Sequence, residues 1–143
     1  MASLRHVGLI VNNIDSSLKI YRDILGFKPK IDQVESGNFY EHLTGIDSGV
    51  ARTCKCYALD GSCIELIEYI SHKPLKRSKE LLTEGFNHVA LNVSDLDSVY
   101  KSLTGLGLRF INKPEINNEK TAKVAFCYDY EKNLLELVQT NDL

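Results

Sequence analysis

The stretch SLRHVGLIVNNIDSSLKIY at residues 3–21 returns, little changed, as GFNHVALNVSDLDSVYKSL at residues 85–103. No gap is needed. His88 falls on His6 at an offset of 88 − 6 = 82, and Val7/Val89, Leu9/Leu91, Val11/Val93, Asp15/Asp97, Ser16/Ser98 and Lys19/Lys101 also match. A second pair, GSCIELIEY (61–69) and EKNLLELVQ (131–139), sets Glu65 against Glu136 at an offset of 136 − 65 = 71. Such self-similarity constrains the chain to a duplicated module. Half of 143 residues is marginal as an independent domain, so the two copies are expected to share one core or sheet system.

Each copy reads as strand, helix and three strands. Residues 4–11 are apolar and β-branched, with Leu4, His6, Gly8 and Ile10 on one face and Arg5, Val7, Leu9 and Val11 on the other. The second copy sets Phe86, His88, Ala90 and Asn92 against Asn87, Val89, Leu91 and Val93. A helix follows in each. Asn13 or Asp15 caps the first, with a Leu18/Tyr21/Leu25 stripe and a stop at Gly26. Asp95 or Asp97 caps the second, with a Leu96/Val99/Leu103 stripe and a stop at Gly105 or Gly107. Further strands are expected at 27–35, 50–59 and 62–70, then at 108–112, 122–128 and 133–139. Asp60-Gly61 marks a hairpin. The class is α+β, with βαβββ written twice: one module over 1–71, a linker over 72–84 and a second module over 85–143, together a single domain. Residues 36–49 are expected to form a long polar loop that the second module lacks.

Composition excludes several classes. Net charge is −2 with both signs interspersed, so no basic face suits nucleic acid or anionic lipid. The densest basic run, KPLKRSK at 73–79, reads as a solvated linker with at most a minor part in attracting an anionic substrate. No segment approaches the roughly 20 apolar residues of a membrane span, and MASLRHVGLIV lacks the pattern of a signal peptide. Cys54, Cys56, Cys63 and Cys127 show no C-x-x-C spacing and read as reduced, partly buried thiols of a cytoplasmic protein.

The chemistry-bearing residues are the repeated ones. Glu65 and Glu136 each interrupt an apolar strand, where a lone carboxylate is costly to bury and needs a cation, a metal or a shifted pKa. His6 and His88 stand at matching places beside the small residues Gly8 and Ala90. If a pseudo-twofold axis relates the modules, His6, Glu65, His88 and Glu136 converge on one divalent ion. Two imidazoles and two carboxylates suit Zn²⁺, Ni²⁺, Co²⁺, Mn²⁺ or Fe²⁺ and leave positions open for substrate oxygens. Taken singly, each His or Glu is more often a structural residue; the repeat is what argues otherwise. Tyr40 and His42, with Glu41, lie in the long loop and are candidates to close over a substrate. Arg52 is a candidate for binding a substrate carboxylate or phosphate.

Through HVGLIVNNIDSSLKIYRDILGF, IELIEY, NHVALNVSDLD and LLELV, nearly the whole chain resembles the vicinal oxygen chelate superfamily of glyoxalases, bleomycin-resistance proteins and dioxygenases. The resemblance implies a glyoxalase-like, cup-shaped, eight-stranded mixed sheet around one divalent metal held by His6, Glu65, His88 and Glu136. It implies homodimers and a small-molecule substrate. The ligand pattern is similar to those of glyoxalase I and methylmalonyl-CoA epimerase. It implies a lyase or isomerase that moves a proton next to a metal-bound carbonyl, with Glu136 or Glu65 as the base. Two departures concern glutathione: Ile10 stands where glyoxalase I has an Arg, and Tyr69 where it has an Asn. The epimerase likeness also fades after IELIEY. Glu65 argues against the three-ligand dioxygenases, and the full set of four argues against the metal-free binding members. A dioxygenase or thiol transferase, and a non-catalytic binding or resistance protein, remain as alternatives.

Overall fold

The two helices that follow the repeated strands are started by the same device, used twice. Asn13 caps the first, its side chain accepting from the Ser16 amide, and Asp95 caps the second by accepting from the Ser98 amide. The next orphan amide is then satisfied from the sheet. Ile14 N–H donates to Glu68 Oε2 at 2.8 Å, and Leu96 N–H donates to Gln139 Oε1 at 2.8 Å. Glu68 and Gln139 are themselves repeat partners, since 68 + 71 = 139. A third matched pair ties helix to sheet: Arg52 meets Asp15 at 3.1 Å, and Lys123 meets Asp97 at 2.8 Å.

This computed structural model describes residues 1–76 and 80–143. Arg77, Ser78 and Lys79, part of the expected linker, lie outside the described residues. The chain divides into two units, Met1–Arg77 and Ser78–Leu143. The first holds β1 (Val7–Ile10), α1 (Ile14–Leu18), β2 (Lys28–Glu35), α2 (Asn38–Thr44), β3 (Ala51–Tyr57) and β4 (Cys63–Tyr69). The second holds β5 (His88–Asn92), α3 (Leu96–Gly105), β6 (Glu115–Ile116), β7 (Lys123–Tyr128) and β8 (Leu134–Gln139). Among the described residues the strands form two four-stranded sheets of identical topology, β1-β4-β3-β2 and β5-β8-β7-β6, with β6 in place of the strand expected over 108–112. In each, the first strand runs parallel to the last and the other pairings are antiparallel.

The alternation expected for the repeated strands holds. Leu9 and Val11 are buried toward the helix side with Ile64, Leu66, Cys54 and Cys56, against Ile14, Leu18, Ile20 and Tyr21. In the second unit Leu135, Leu137, Ala125 and Cys127 play the same part against Leu96 and Leu103. Burial of such side chains, each contributing roughly 1.5–3 kcal/mol, is the main stabilising term.

Four local expectations differ from the structure. β1 begins at Val7 rather than residue 4, and Leu4 is exposed. The first helix is α-helical only to Leu18 and continues as a π-helical segment, Lys19–Ile24, before Gly26 turns out at φ +79°. Residues 36–49 are not all loop: α2 forms between Gly37 and Gly45, which ends it in the left-handed region at φ +71°. No strand forms over 108–112, where Phe110 makes only an isolated bridge to Cys127. The reason is Asn112. Its side chain accepts from Phe126 N–H and donates to the Val124 carbonyl, standing in for backbone partners, and Pro114 brings no N–H two residues later.

The repeat predicts which substitutions the caps tolerate. Glu68→Gln, which copies Gln139, should change stability by less than about 0.5 kcal/mol, whereas Glu68→Leu should cost roughly 1–2 kcal/mol by stranding the Ile14 amide. Urea unfolding of the two variants measures both.

Candidate functional site

On the sheet face away from the helices, each unit carries one histidine beside one glutamate. In the first unit Gly8 of β1 registers with Glu65 of β4, and His6 precedes it by two residues on the same face. His6 Nε2 lies 3.1 Å from Glu65 Oε2, with the glutamate side chain 14% exposed. In the second unit Ala90 registers with Glu136, and His88 Nε2 lies 3.1 Å from Glu136 Oε2. The small residue beside each glutamate keeps the face open above the carboxylate. A Cβ placed on Gly8 would come to 3.4 Å from the Ile67 side chain. The sequence pairing of these residues is therefore a spatial pairing within each unit.

The geometry of the pairs suits a divalent cation. Two donor atoms held about 2.1 Å from one ion at a right angle stand about 3.0 Å apart, close to the separation in both units. The second pair shows more. Asn87 donates from Nδ2 to the Leu81 carbonyl at 2.8 Å, which turns its Oδ1 toward His88 Nδ1 at 2.7 Å. An amide oxygen only accepts, so Nδ1 carries the proton of that ring. Nε2 then faces a carboxylate oxygen at 3.1 Å, a contact completed by a proton or a metal ion. Phe126 meets the ring edge-on, with centroids 5.3 Å apart, and holds its plane. An imidazole oriented through its far nitrogen is the usual form of a metal-ligating histidine. Within neither unit does a third His, Cys, Asp or Glu join the pair, among the described residues. Each unit thus offers one imidazole and one carboxylate.

The cysteines do not compete for this role. All four are free and buried, and burial pushes the Cys56 and Cys127 thiols up to about 12, away from the thiolate form that binds metals.

The remaining candidates separate. Tyr40 of α2 is buried, and its hydroxyl stands 3.3 Å from that of Tyr69 at the end of β4, on the strand face that carries Glu65. Burial, reinforced by Tyr69, raises the Tyr40 pKa, so the hydroxyl stays a hydrogen-bond donor. His42, two residues on and about 200° round the helix, is exposed and makes no part of this cluster. Arg52 projects from the opposite face of β3. It forks onto both oxygens of Asp32, at 2.9 and 2.8 Å, besides meeting Asp15. Its repeat partner Lys123 does the same structural work with Asp97, as 52 + 71 = 123, so Arg52 ties helix to sheet. One residue went unnoticed in the sequence: Lys55 Nζ lies 3.6 Å from Glu65 Oε1. Tyr69, noted there only for its departure from glyoxalase I, partners Tyr40. The signal for Lys55 was present, since Lys55 and Glu65 are equidistant from the turn at Asp60 and so face each other across the hairpin.

Comparison with known proteins agrees with the fold. A profile of the Glyoxalase/Bleomycin resistance protein/Dioxygenase superfamily matches residues 5–128. A probable lactoylglutathione lyase of Synechocystis sp. is 27% identical over 139 residues, covering 96% of this chain and 95% of the relative. A glyoxalase family protein of Bacillus cereus has the same fold, with a TM-score of 0.88 at 19% identity over 97% of this chain and 94% of the other. So does a fosfomycin resistance protein of Listeria monocytogenes solved with Mn(II) and sulfate, with a TM-score of 0.62 at 18% identity over 97% and 93% of the two chains.

The Arg52 tie makes a pH-dependent prediction. Its guanidinium, hydrogen-bonded to Asp32, holds that carboxyl below the usual aspartate range. A depressed folded pKa contributes stability that is present above the unfolded value, about 3.9, and is lost as pH falls through the lower folded value. Arg52→Met should therefore be less stable than the parent near neutral pH, with the gap closing below about pH 4. Arg52→Lys should keep part of the difference. Thermal unfolding from pH 7 to pH 3 follows this, and a gap that does not narrow in acid would contradict it.

Proposed function

The chain belongs to the Glyoxalase/Bleomycin resistance protein/Dioxygenase superfamily, and from that premise we propose that it is a divalent-metal-dependent lyase or isomerase of glyoxalase type, acting on a small carbonyl substrate. The observation that carries this reading is the His88–Glu136 pair, with Nδ1 committed to Asn87 and Nε2 facing a carboxylate, matched in the first unit by His6–Glu65. His6, Glu65, His88 and Glu136 would hold the ion as its protein ligands, at one ion per chain. Two neutral imidazoles and two carboxylates balance a 2+ charge, and a nitrogen/oxygen set suits Ni²⁺, Co²⁺, Zn²⁺, Mn²⁺ or Fe²⁺. The bound ion supplies Lewis-acid stabilisation of negative charge developing on the substrate oxygen.

The chain's own groups do the rest. Among the described residues both oxygens of Glu65 are engaged, Oε2 by His6 and Oε1 by Lys55, whereas Glu136 Oε1 has no hydrogen-bond or ion-pair partner. Glu136 is therefore the carboxylate free to take the proton from the carbon next to the carbonyl and return it to the product. Glu65 is the fixed ligand. Tyr40 donates its hydroxyl proton to Tyr69, which leaves the Tyr69 hydroxyl to donate to a substrate oxygen. Tyr69 and Ile10 fill positions that would serve glutathione in glyoxalase I, which favours a substrate without that carrier. The protein works on a soluble small molecule in the cytoplasm as a homodimer.

Purified without chelator, the protein should hold about one transition-metal ion per chain, and both His6→Ala and His88→Ala should lose it by elemental analysis. Incubation of the loaded protein with candidate 2-oxo compounds and thioesters in deuterated water should place deuterium next to the carbonyl. Glu136→Gln should slow this by at least about 100-fold while retaining most of the metal. Metal binding without exchange on any such compound would favour a binding or resistance role, and oxygen uptake or thiol consumption would favour a dioxygenase or transferase.

A further inference from the structure

The two half-sites match in their ligands and differ in what stands beside them. The register sets Lys55 against Glu65 in the first unit and Phe126 against Glu136 in the second. These are the same position of the repeat, as 55 + 71 = 126. Phe126 meets His88 with its ring, and Lys55 brings an ammonium to within 3.6 Å of Glu65 Oε1. Charge compensation alone does not account for the lysine. Glu136, with a side chain 25% exposed, lies in the same fold without a lysine, so a glutamate at this place does not oblige the sheet to supply one. An ammonium has three donors, and the one interaction with Glu65 is long for an ion pair. The remaining donors sit on the face that bears the ligands, with the Lys55 side chain 22% exposed.

We propose that Lys55 is a specificity residue: it fixes Glu65 through one oxygen and presents a positive charge beside the metal half-site that takes an anionic group of the substrate, a carboxylate or a phosphate. The proposal rests on the metal reading above. It names the substrate class of that site as an oxyanion-bearing carbonyl compound, the anion lying toward the first unit's pair. It also makes the half-sites unequal in a defined way. In the first unit Lys55 competes with the metal for Glu65, so its charge opposes cation binding while favouring anion binding. The second unit has no such opposition.

These opposite effects supply the test. Calorimetry on the full chain would measure Mn²⁺ affinity, and then inorganic phosphate affinity of the Mn²⁺-loaded protein, for the parent, Lys55→Met and Lys55→Arg. Lys55→Met should bind Mn²⁺ roughly tenfold more tightly and phosphate at least about tenfold more weakly, and Lys55→Arg should restore both toward the parent values. A structural lysine would instead weaken both together and lower the Tm, which would overturn the proposal. Unchanged phosphate binding would overturn it as well, leaving the metal site intact if Mn²⁺ still binds. No Mn²⁺ binding by the parent would show that the metal reading has failed, and Lys55 with it. Should Lys55→Met not fold, Phe126→Lys introduces the same charge beside Glu136. It should then weaken Mn²⁺ binding and strengthen phosphate binding, and unchanged values there would reject the proposal.

Discussion

A carboxylate placed inside an apolar strand is the constraint on which the rest depends. Such a group must be matched by a cation or by hydrogen bonds, and the fold meets that need twice in the same way. A histidine from the first strand is brought beside a glutamate of the last because those two strands are parallel neighbours in each sheet. The parallel pairing needs a crossover, and the repeated helix and the strands after it provide one. The cap from Glu68 or Gln139 then fixes the helix start to the same last strand that carries the glutamate three residues earlier. Sequence repeat, strand order and site are consequences of one arrangement used in duplicate.

The asymmetries are as informative as the repeat. The first unit adds α2, with Tyr40 against Tyr69, and Lys55 beside its glutamate. The second keeps an aromatic ring on its histidine and an oriented asparagine behind it. One unit is thereby polar and donor-rich around its pair, and the other has a ring-packed imidazole oriented by an asparagine.

Much of this was legible in the residues. The alternation in HVGLI and HVALN placed the helix face and the histidine-bearing face correctly, because the period of a strand is fixed by the pleat. The hairpin at Asp60-Gly61 followed from turn chemistry: Gly61 takes φ +87° and Asp60 accepts from the Ser62 amide. What failed was decided by side chains that replace backbone partners. Asn112 took the hydrogen bonds of an expected strand, and α2 formed in a glycine-bounded segment too short for periodicity to declare it. Arg52 illustrates the limit for single charged residues. Its role was visible only when its repeat partner Lys123 was found making the same tie to an aspartate.

The central claim is that each repeat supplies one imidazole and one carboxylate to a divalent ion. X-ray absorption at the zinc edge of the loaded protein counts the imidazoles directly. The account predicts two imidazole nitrogens among nitrogen and oxygen donors at about 2.0–2.2 Å, falling to one in a His6→Ala protein kept loaded with excess zinc. A sulfur shell at about 2.3 Å, or one imidazole in the parent, would contradict it.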